Sequence, residues 1–169
     1  MTTIRCHSFL EELNSEYKAT RLCLERIPET LFDYKPHPKS MNLGYLSVLV
    51  AEIPLWIKHM VIDGEIDFVT FSHISPKTTA ELVHHFDENI EAAKNALLGT
   101  NDEELEKSFS LKSNGKLLYT APKVKDISTT LNHWVHHRGQ LTVYMRLNDI
   151  LVPSIYGPSA DDKSFTGPT

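Results

Sequence analysis

The segment Leu131-Asn-His-Trp-Val-His-His-Arg-Gly-Gln-Leu-Thr-Val-Tyr-Met-Arg-Leu147 predicts the last helix of the fold and contains the most informative pair of residues in the chain. His133 and His137 are four residues apart, the spacing that stacks two side chains on one face of a helix. Two imidazoles placed in this way can chelate one metal ion. Because two nitrogens hold a divalent metal only weakly, a stable site also needs a third ligand from another part of the fold.

The segment lies within a helix that we predict from about Val124 to Asn148. Its apolar residues recur at helical spacing and form one stripe, made up of Ile127, Leu131, Trp134, Leu141 and Met145. A polar stripe runs beside it, made up of His133, His137, Gln140 and Tyr144. Such a stripe is expected to line a cavity in a helical bundle. From spacing alone, however, one satisfied core histidine beside one solvated histidine is the commoner arrangement.

Arg138 stands on the apolar stripe itself, where a charged side chain can be buried only with a partner. We therefore expect a carboxylate opposite it, and the candidates are Asp33, Glu52 and the Asp161-Asp162 pair. The alternative is an arginine at the rim of the bundle that extends its guanidinium group into solvent. The sequence leaves both interpretations open.

A first helix of about six turns is predicted near the N-terminus, with Thr2 or Thr3 as its cap and Ile27-Pro28 after its end. Cys6 and Cys23 both fall in this helix, 17 residues apart. A rise of about 1.5 Å per residue places them roughly 25 Å from each other, beyond the reach of a disulfide. We expect both cysteines to be small packing residues.

Two further long helices follow. The second runs from Leu43 to Ile57 and is so apolar that most of its surface must be covered, and Pro54 is expected to kink it. The third is predicted to begin at Ser75-Pro76, a capping residue followed by proline, and to end at Gly99.

The region before the last helix is predicted to be irregular. A short helical turn is expected at residues 101–106, and Asn114-Gly115 between apolar stretches predicts a small hairpin or extended excursion. The tail after Leu151 is rich in Pro, Gly and Ser and is expected to dock on the helices. Four long helices predict an all-α fold, a four-helix bundle, and we expect residues 1–169 to form a single domain.

Composition and charge exclude several classes of function. The 169 residues carry a net charge of −5 and no cluster of Lys or Arg that could follow a phosphate backbone, so nucleic acid is not an expected partner. No stretch consists of the roughly 18 apolar residues of a membrane span, and the opening residues lack the apolar core of a signal peptide. We therefore expect a cytoplasmic protein with no membrane partner.

With these features, the chain resembles the DinB-like superfamily of four-helix-bundle proteins. The strongest match covers residues 133–161, which begin His-Trp-Val-His-His-Arg-Gly-Gln. A second match covers residues 35–56, with Leu43-Gly-Tyr-Leu-Ser-Val-Leu-Val-Ala-Glu52 near its end. Many members of the superfamily carry a divalent metal on three histidines. The resemblance implies that His133 and His137 correspond to two of them.

The third histidine of the family comes from the second helix, within a pattern like Leu-Gly-x-Leu-x-x-His-Val-Ala-Glu. In this chain Leu49 stands at that position, and a leucine cannot bind a metal. A substitute ligand would have to come from elsewhere. Glu52, about one helical turn further on, is the better candidate, although it can equally pair with Arg138.

The resemblance, together with this departure, leaves three functions open. We favour a DinB-like protein whose metal site is degenerate and which binds a small ligand in the bundle cavity. The residues expected to line that pocket are Trp56, Trp134, Arg138, Gln140 and Tyr144.

The two alternatives follow from other features of the superfamily. Some members transfer low-molecular-weight thiols to electrophiles or isomerise with them, which suggests a zinc- or nickel-dependent thiol S-transferase or isomerase that uses His133, His137 and a substitute ligand. A non-enzymatic interaction module, expected to form a homodimer, is the third. In all cases we expect the divalent metal to be weakly bound or absent, and whether the protein is an enzyme stays open.

Overall fold

The structure is a computed structural model that describes residues 3–164. Its long helices are α1 (Ile4–Glu25), α2 (Leu43–Lys58), α3 (Thr79–Leu98) and α5 (Lys123–Leu147), and a single-turn helix, α4 (Asp102–Leu105), follows α3. Three short strands are β1 (Glu65–Asp67), β2 (Ser108–Ser113) and β3 (Lys116–Pro122). Both α1 and α2 pack against α3 and α5, so α1 and α2 occupy opposite corners of the bundle.

The three strands form a small sheet, so the fold is not the plain all-α bundle that the sequence predicts. β2 pairs with β1 in parallel and with β3 in antiparallel orientation. The predicted hairpin is confirmed, since Asn114 and Gly115 have φ values of 50° and 74°, as a type I′ turn requires. Backbone N–H groups of Gly115 and Val69 donate to Asp67 and hold the pKa of its carboxyl below the usual value.

The helix α2 runs through Pro54, and carbonyl groups near the proline are satisfied by other helices. Pro54 has no N–H, so the carbonyl of Val50 loses its donor within the helix. The indole Nε1–H of Trp134 on α5 donates to this carbonyl at 2.9 Å. On the other side, the amide of Asn89 on α3 donates to the carbonyl of Ala51 at 2.9 Å. The polar groups near the proline thus tie α2 to both of its neighbours.

Two more side chains of α5 fix its register against the segment that contains α2. The hydroxyl of Tyr144 donates to the carbonyl of Met41 at 3.1 Å. The buried ammonium group of Lys123, at the other end of α5, donates to the carbonyl of Val61 at 2.9 Å. Because the later residue of α5 contacts the earlier residue of the α2 segment, the two helices run antiparallel.

The segment Leu43–Asp63, which comprises α2 and the π-helical turn after it, is long and apolar enough to cross a membrane by length and composition alone. This corrects the sequence expectation that no segment qualifies. In the fold, however, 61% of its most apolar window is buried against the rest of the protein. That burial is typical of a core helix in a bundle.

The first helix begins at the predicted cap residue without a side-chain cap of its own, and the third begins later than predicted. Thr3 is the N-cap residue of α1 but makes no side-chain cap within the helix, and Thr2 lies outside the described residues. Instead, the carboxylate of Asp102 accepts from the N–H groups at the start of α1. α3 begins at Thr79 and not at Ser75-Pro76, because the hydroxyl of Thr78 accepts from the backbone of the first turn and caps it there.

Both cysteines are packing residues, as predicted. Cys6 and Cys23 are buried and unpaired. Burial raises the pKa of the Cys23 thiol to about 11, so this thiol is protonated at neutral pH. Burial likewise raises the pKa of Cys6. Neither cysteine therefore offers a reactive thiolate.

Arg138 is buried, at 2% exposure, and its carboxylate partner is Glu16 of α1. Nη1 of Arg138 lies 2.5 Å from Oε2 of Glu16 and donates to the hydroxyl of Thr20 at 3.0 Å. The hydroxyl of Tyr156, from the C-terminal segment, accepts from Nη2 at 2.7 Å and donates to Glu16 at 2.9 Å. The expected buried carboxylate is therefore confirmed.

The identity predicted for that partner was wrong. The acid is none of the three candidates, Asp33, Glu52 and the Asp161-Asp162 pair. Glu16 lies three residues after the buried Leu13 on α1 and four before the buried Thr20. This position shows from the sequence that Glu16 faces the core, but it does not identify Arg138 as its partner.

The C-terminal segment docks on the helices, as predicted. Arg146 of α5 makes two hydrogen bonds to the Asp161 carboxylate, at 2.6 and 3.2 Å. Arg26, just after α1, donates to the carbonyl of Leu151 at 2.9 Å. Together with Tyr156, these contacts attach the tail to both α1 and α5.

Replacing Arg138 with methionine should lower the free energy of unfolding by about 3–5 kcal/mol, because Glu16 would stay buried without its cation. Chemical denaturation followed by circular dichroism measures this loss. Arg146→Met is the matched control: Arg146 is half exposed, and its removal should cost under about 1 kcal/mol. A similarly small loss for Arg138→Met would show that the Glu16 pair does not stabilise the bundle.

Candidate functional site

The structure brings His133 and His137 together on α5. Their Nε2 atoms are 2.7 Å apart, and their ring centroids are 4.5 Å apart. His137 is buried, with 9% of its surface exposed, and His133 is partly buried. The four-residue spacing therefore produces a pair of imidazoles in direct contact.

Gln140 sets the orientation of this pair. Its Oε1 lies 2.8 Å from Nδ1 of His137 and accepts the Nδ1–H hydrogen bond. A neutral imidazole carries a single N–H, so Nε2 of His137 must then be an acceptor. It follows that Nε2–H of His133 donates to Nε2 of His137. The three side chains form a short chain of hydrogen bonds between neutral groups.

Burial lowers the pKa of both imidazoles. Desolvation is the main cause for each ring, because it disfavours the charged form. For His133, the neighbouring imidazoles of His137 and His136 lower the pKa further, whereas the Gln140 hydrogen bond partly opposes the shift at His137. Both rings are therefore neutral at pH 7. In this state they can share hydrogen bonds or ligate a metal, but they do not attract anions by charge.

Aromatic side chains flank His133. The ring centroid of Trp56, on α2, lies 5.4 Å from that of His133. Phe71, from the connection between β1 and α3, packs edge-on against Trp56 with centroids 6.3 Å apart, and it also contacts His59. The indole Nε1 of Trp56 is buried and has no hydrogen-bond partner among residues 3–164. The surroundings of the pair are thus largely aromatic, with one unused donor.

Leu49 occupies the position on α2 at which the family resemblance implies the third histidine. It precedes Trp56 by two helical turns and so lies on the same side of α2. The hydrogen bond between Trp134 and the carbonyl of Val50 sets the register, which brings Leu49 level with the α5 segment that carries His137. Leu49 is partly buried and packs against the core. If the resemblance holds at this position, an apolar side chain stands where the family has a ligand.

Glu52 does not complete the site, because its carboxylate is engaged elsewhere. Glu52 is 1% exposed. Its Oε2 lies 2.5 Å from Nδ1 of His73, and its Oε1 accepts from the N–H of Ile74 at 2.9 Å and lies 3.7 Å from Nε2 of His85. Within residues 3–164, no three side chains of His, Cys, Asp or Glu are arranged to hold a metal ion. The residues present therefore do not fit the three-ligand centre that the resemblance implies.

Two further histidines, which the sequence analysis does not place at a site, lie near this carboxylate. His73 and His85 approach Glu52 from the connection before α3 and from α3 itself. The sequence signal for this contact is weak, because the three residues are far apart along the chain. Phe71 and Ile74, apolar residues of this connection, pack against the core and so mark the segment as packed on the bundle.

The remaining predicted pocket residues are placed away from the histidine pair. Trp134 is 1% exposed and lies in the core beside Phe86 of α3. The hydroxyl of Tyr144 donates to the carbonyl of Met41, and Arg138 pairs with Glu16 of α1. Two residues of the predicted lining contact the histidine pair, Trp56 through His133 and Gln140 through His137.

A shallow groove between α1 and α3 is a separate feature of the surface, away from the histidine pair. Its lining includes Arg21 and Asp87. These two side chains form an ion pair at 3.0 Å, and the hydroxyl of Tyr17 also donates to Asp87. Because the charged groups of the groove satisfy each other, we do not treat it as the functional site.

In the folded protein, His133 and His137 should titrate with pKa values below about 6.5, the value of an unperturbed imidazole. NMR titration of the ring protons measures both, with the urea-unfolded protein as reference. At pH values between the lowered pKa of the folded protein and 6.5, the unfolded chain binds more protons than the folded one. The stability that the folded protein has with both rings neutral is therefore complete above this range and is lost as the pH falls through it. Titration of either ring at or above the unfolded value would contradict the burial of the pair.

Comparison with known proteins identifies the family. The family model described as the DinB family matches residues 1–164. The structure of a DinB-like protein from Bacillus cereus ATCC 10987 superposes with a TM-score of 0.71 at 20% identity, over 89% of this chain and 97% of that one. A DinB-like protein from Bacillus subtilis gives a TM-score of 0.68 at 17% identity, over 85% and 93%. No curated protein matches. Structural likeness at these identities shows the fold, and the family match over nearly the whole length shows that the chain belongs to the DinB family.

Proposed function

We propose that this protein is a DinB-family member that has lost the three-histidine metal centre and binds a small organic ligand beside His133 and His137. The observation that carries the proposal is the direct contact of the two Nε2 atoms at 2.7 Å. Two nitrogens on one tetrahedral zinc ion, each at about 2.0–2.1 Å, stand roughly 3.3 Å apart. The shorter distance is that of a hydrogen bond between neutral rings. Leu49 packs on the core where the third ligand would stand, which supports the same conclusion.

The surroundings of the pair favour a ligand with an apolar or planar part and one hydrogen-bond acceptor. Trp56 and Phe71 offer aromatic surface next to His133. The buried Nε1–H of Trp56 lacks an acceptor, and a bound acceptor would remove the cost of leaving it unsatisfied. Largely apolar sites with a few placed polar groups are typical of small-molecule binding. A low-molecular-weight thiol, the ligand class that the resemblance implies, is the first candidate.

The convergence of the two Nε2 atoms favours a second candidate, a zinc- or nickel-dependent enzyme of the thiol S-transferase or isomerase type. His133 and His137 would hold the ion, and because Glu52 is engaged by His73 and Ile74, a further ligand would come from water, the thiol sulfur or a partner chain. A bound metal of this kind supplies Lewis acidity that stabilises a thiolate. With two protein ligands, the metal would bind weakly.

A row of exposed apolar side chains favours the third candidate, a non-enzymatic interaction module. Val143 and Leu147 on α5, and Leu151 just after it, are 58%, 57% and 61% exposed and follow one another at four-residue intervals. Exposed apolar rows of this kind are typical of protein contacts. A homodimer in which two such rows meet would bury them.

Ligand binding at the pair is testable by NMR with cysteine and reduced glutathione as probes. We expect one of these thiols to shift the indole N–H resonance of Trp56 and the ring resonances of His133, because both groups border the site. His133→Ala should weaken the binding at least tenfold, and His84→Ala, a change at an exposed histidine of α3, should leave it unchanged. Shifts confined to other residues, or equal binding by His133→Ala, would contradict the proposal.

Loss of the metal centre is testable with zinc. Leu49→His should raise the zinc affinity at least tenfold, equivalent to about 1.4 kcal/mol, because residue 49 lies level with the histidine pair. Calorimetric titration of the untagged wild type and of the variant measures both affinities. Leu49→Asn, a change of similar size without an imidazole, is the control and should give no gain.

Two results would contradict this account of Leu49. A folded Leu49→His variant with no gain in zinc affinity would show that residue 49 does not face the pair. A submicromolar dissociation constant for the wild type, abolished by His133→Ala, would show that a replacement ligand exists and would favour the metalloenzyme.

A further inference from the structure

Residues Phe71–Ile74, which we call the strap, lie along the surface of α2. At one end of the strap, Phe71 packs edge-on against Trp56, with ring centroids 6.3 Å apart. Two residues later, His73 contacts Glu52, one turn earlier on α2. The strap therefore runs antiparallel to α2 and covers the part of that helix that carries Trp56.

The strap is attached to α2 through one buried carboxylate. Both oxygens of Glu52 are used, because Oε2 accepts from Nδ1–H of His73 at 2.5 Å and Oε1 accepts from the backbone N–H of Ile74 at 2.9 Å. The imidazole of His85, 3.7 Å from Oε1, approaches the same carboxylate from α3. Hydrogen bonds to a charged group are stronger than those between neutral groups. Glu52 is thus the main polar attachment of the strap.

Besides this carboxylate, the packing of Phe71 and Ile74 against the core holds the segment. Among the described residues, 72–77 make no backbone–backbone hydrogen bond, while the turn before them is closed by the N–H of Phe71 to the carbonyl of Asp67 at 2.9 Å. The side chain of His73 is 43% exposed. Segments with few backbone hydrogen bonds and little burial are the ones that open locally while the rest of a protein stays folded.

Opening of the strap would uncover the functional site from one side. Trp56 lies between the strap and His133, whose ring centroid is 5.4 Å from its own. The indole Nε1–H, buried and without an acceptor when the strap is closed, would become reachable for a ligand or for water. Closing segments that exclude water and admit a ligand when open are a common device of binding sites.

We propose that the strap is a lid over the Trp56–His133 face and that Glu52 is the residue that holds it closed. The lid rests on the proposed function, since it controls access to the same ligand site. Detachment of His73 from Glu52 frees the strap between the turn at Asp67–Phe71 and the start of α3. Glu52, which sequence comparison suggests as a replacement metal ligand, is thereby assigned to positioning the strap.

Acrylamide quenching of tryptophan fluorescence tests the lid without any knowledge of the natural ligand. The chain has two tryptophans, and Trp134 is 1% exposed, so added quenching reports on Trp56. His73→Ala should raise the quenching rate constant at least twofold and increase the hydrogen-exchange rate of the Ile74 amide at least fivefold. His84→Ala is the control, because this exposed histidine of α3 pairs with Glu88 of its own helix, away from the strap, and should change neither rate.

The outcomes separate the lid from the proposed function. Unchanged quenching and exchange in a folded His73→Ala variant would overturn the lid, whether or not a ligand is found. Faster quenching without thiol binding at His133 would support a strap that opens but would contradict the proposed ligand site. Faster quenching together with a faster association rate of the bound thiol is the result that the lid predicts.

Discussion

The arrangement of the bundle depends on one hydrogen bond that α2 cannot make within itself and that α5 supplies. Pro54 leaves the carbonyl of Val50 without a donor in the middle of α2, and Trp134 of α5 supplies one at 2.9 Å. An unsatisfied buried carbonyl would cost about 1–3 kcal/mol, so the indole must stay opposite residue 50. The contacts of Tyr144 and Lys123 with main-chain carbonyls fix the same register at the two ends of α5.

This register determines what the histidine pair can do. It brings Leu49, whose side chain packs against the core, level with the part of α5 that carries the pair. Burial then keeps both rings neutral, and their Nε2 atoms share a proton through a hydrogen bond. Glu52 lies on the same helix but is held by His73 and Ile74. Under the proposed function, this site takes an uncharged ligand group and holds no tightly bound metal.

Local sequence patterns predicted the four long helices, the Asn114-Gly115 turn and the placement of His133 and His137 on one helix face, because each depends on neighbours a few residues apart. The features that escaped prediction depend on contacts between distant parts of the chain. β1 has three residues, too few for a pattern, and is recognisable only through its pairing with β2. The pairing of Glu16 with Arg138, and that of Glu52 with His73, join residues 122 and 21 positions apart. No local pattern specifies such partners.

The central claim, that the three-histidine metal centre is lost, is tested most directly by the metal content of the purified protein. The chain should be prepared without a histidine tag or a nickel column and analysed by mass spectrometry for zinc and nickel. We predict far less than one equivalent of either metal per chain, with the same value for His133→Ala. One equivalent that survives dialysis and disappears in His133→Ala would contradict the claim and assign the protein to the metal-binding members of its family.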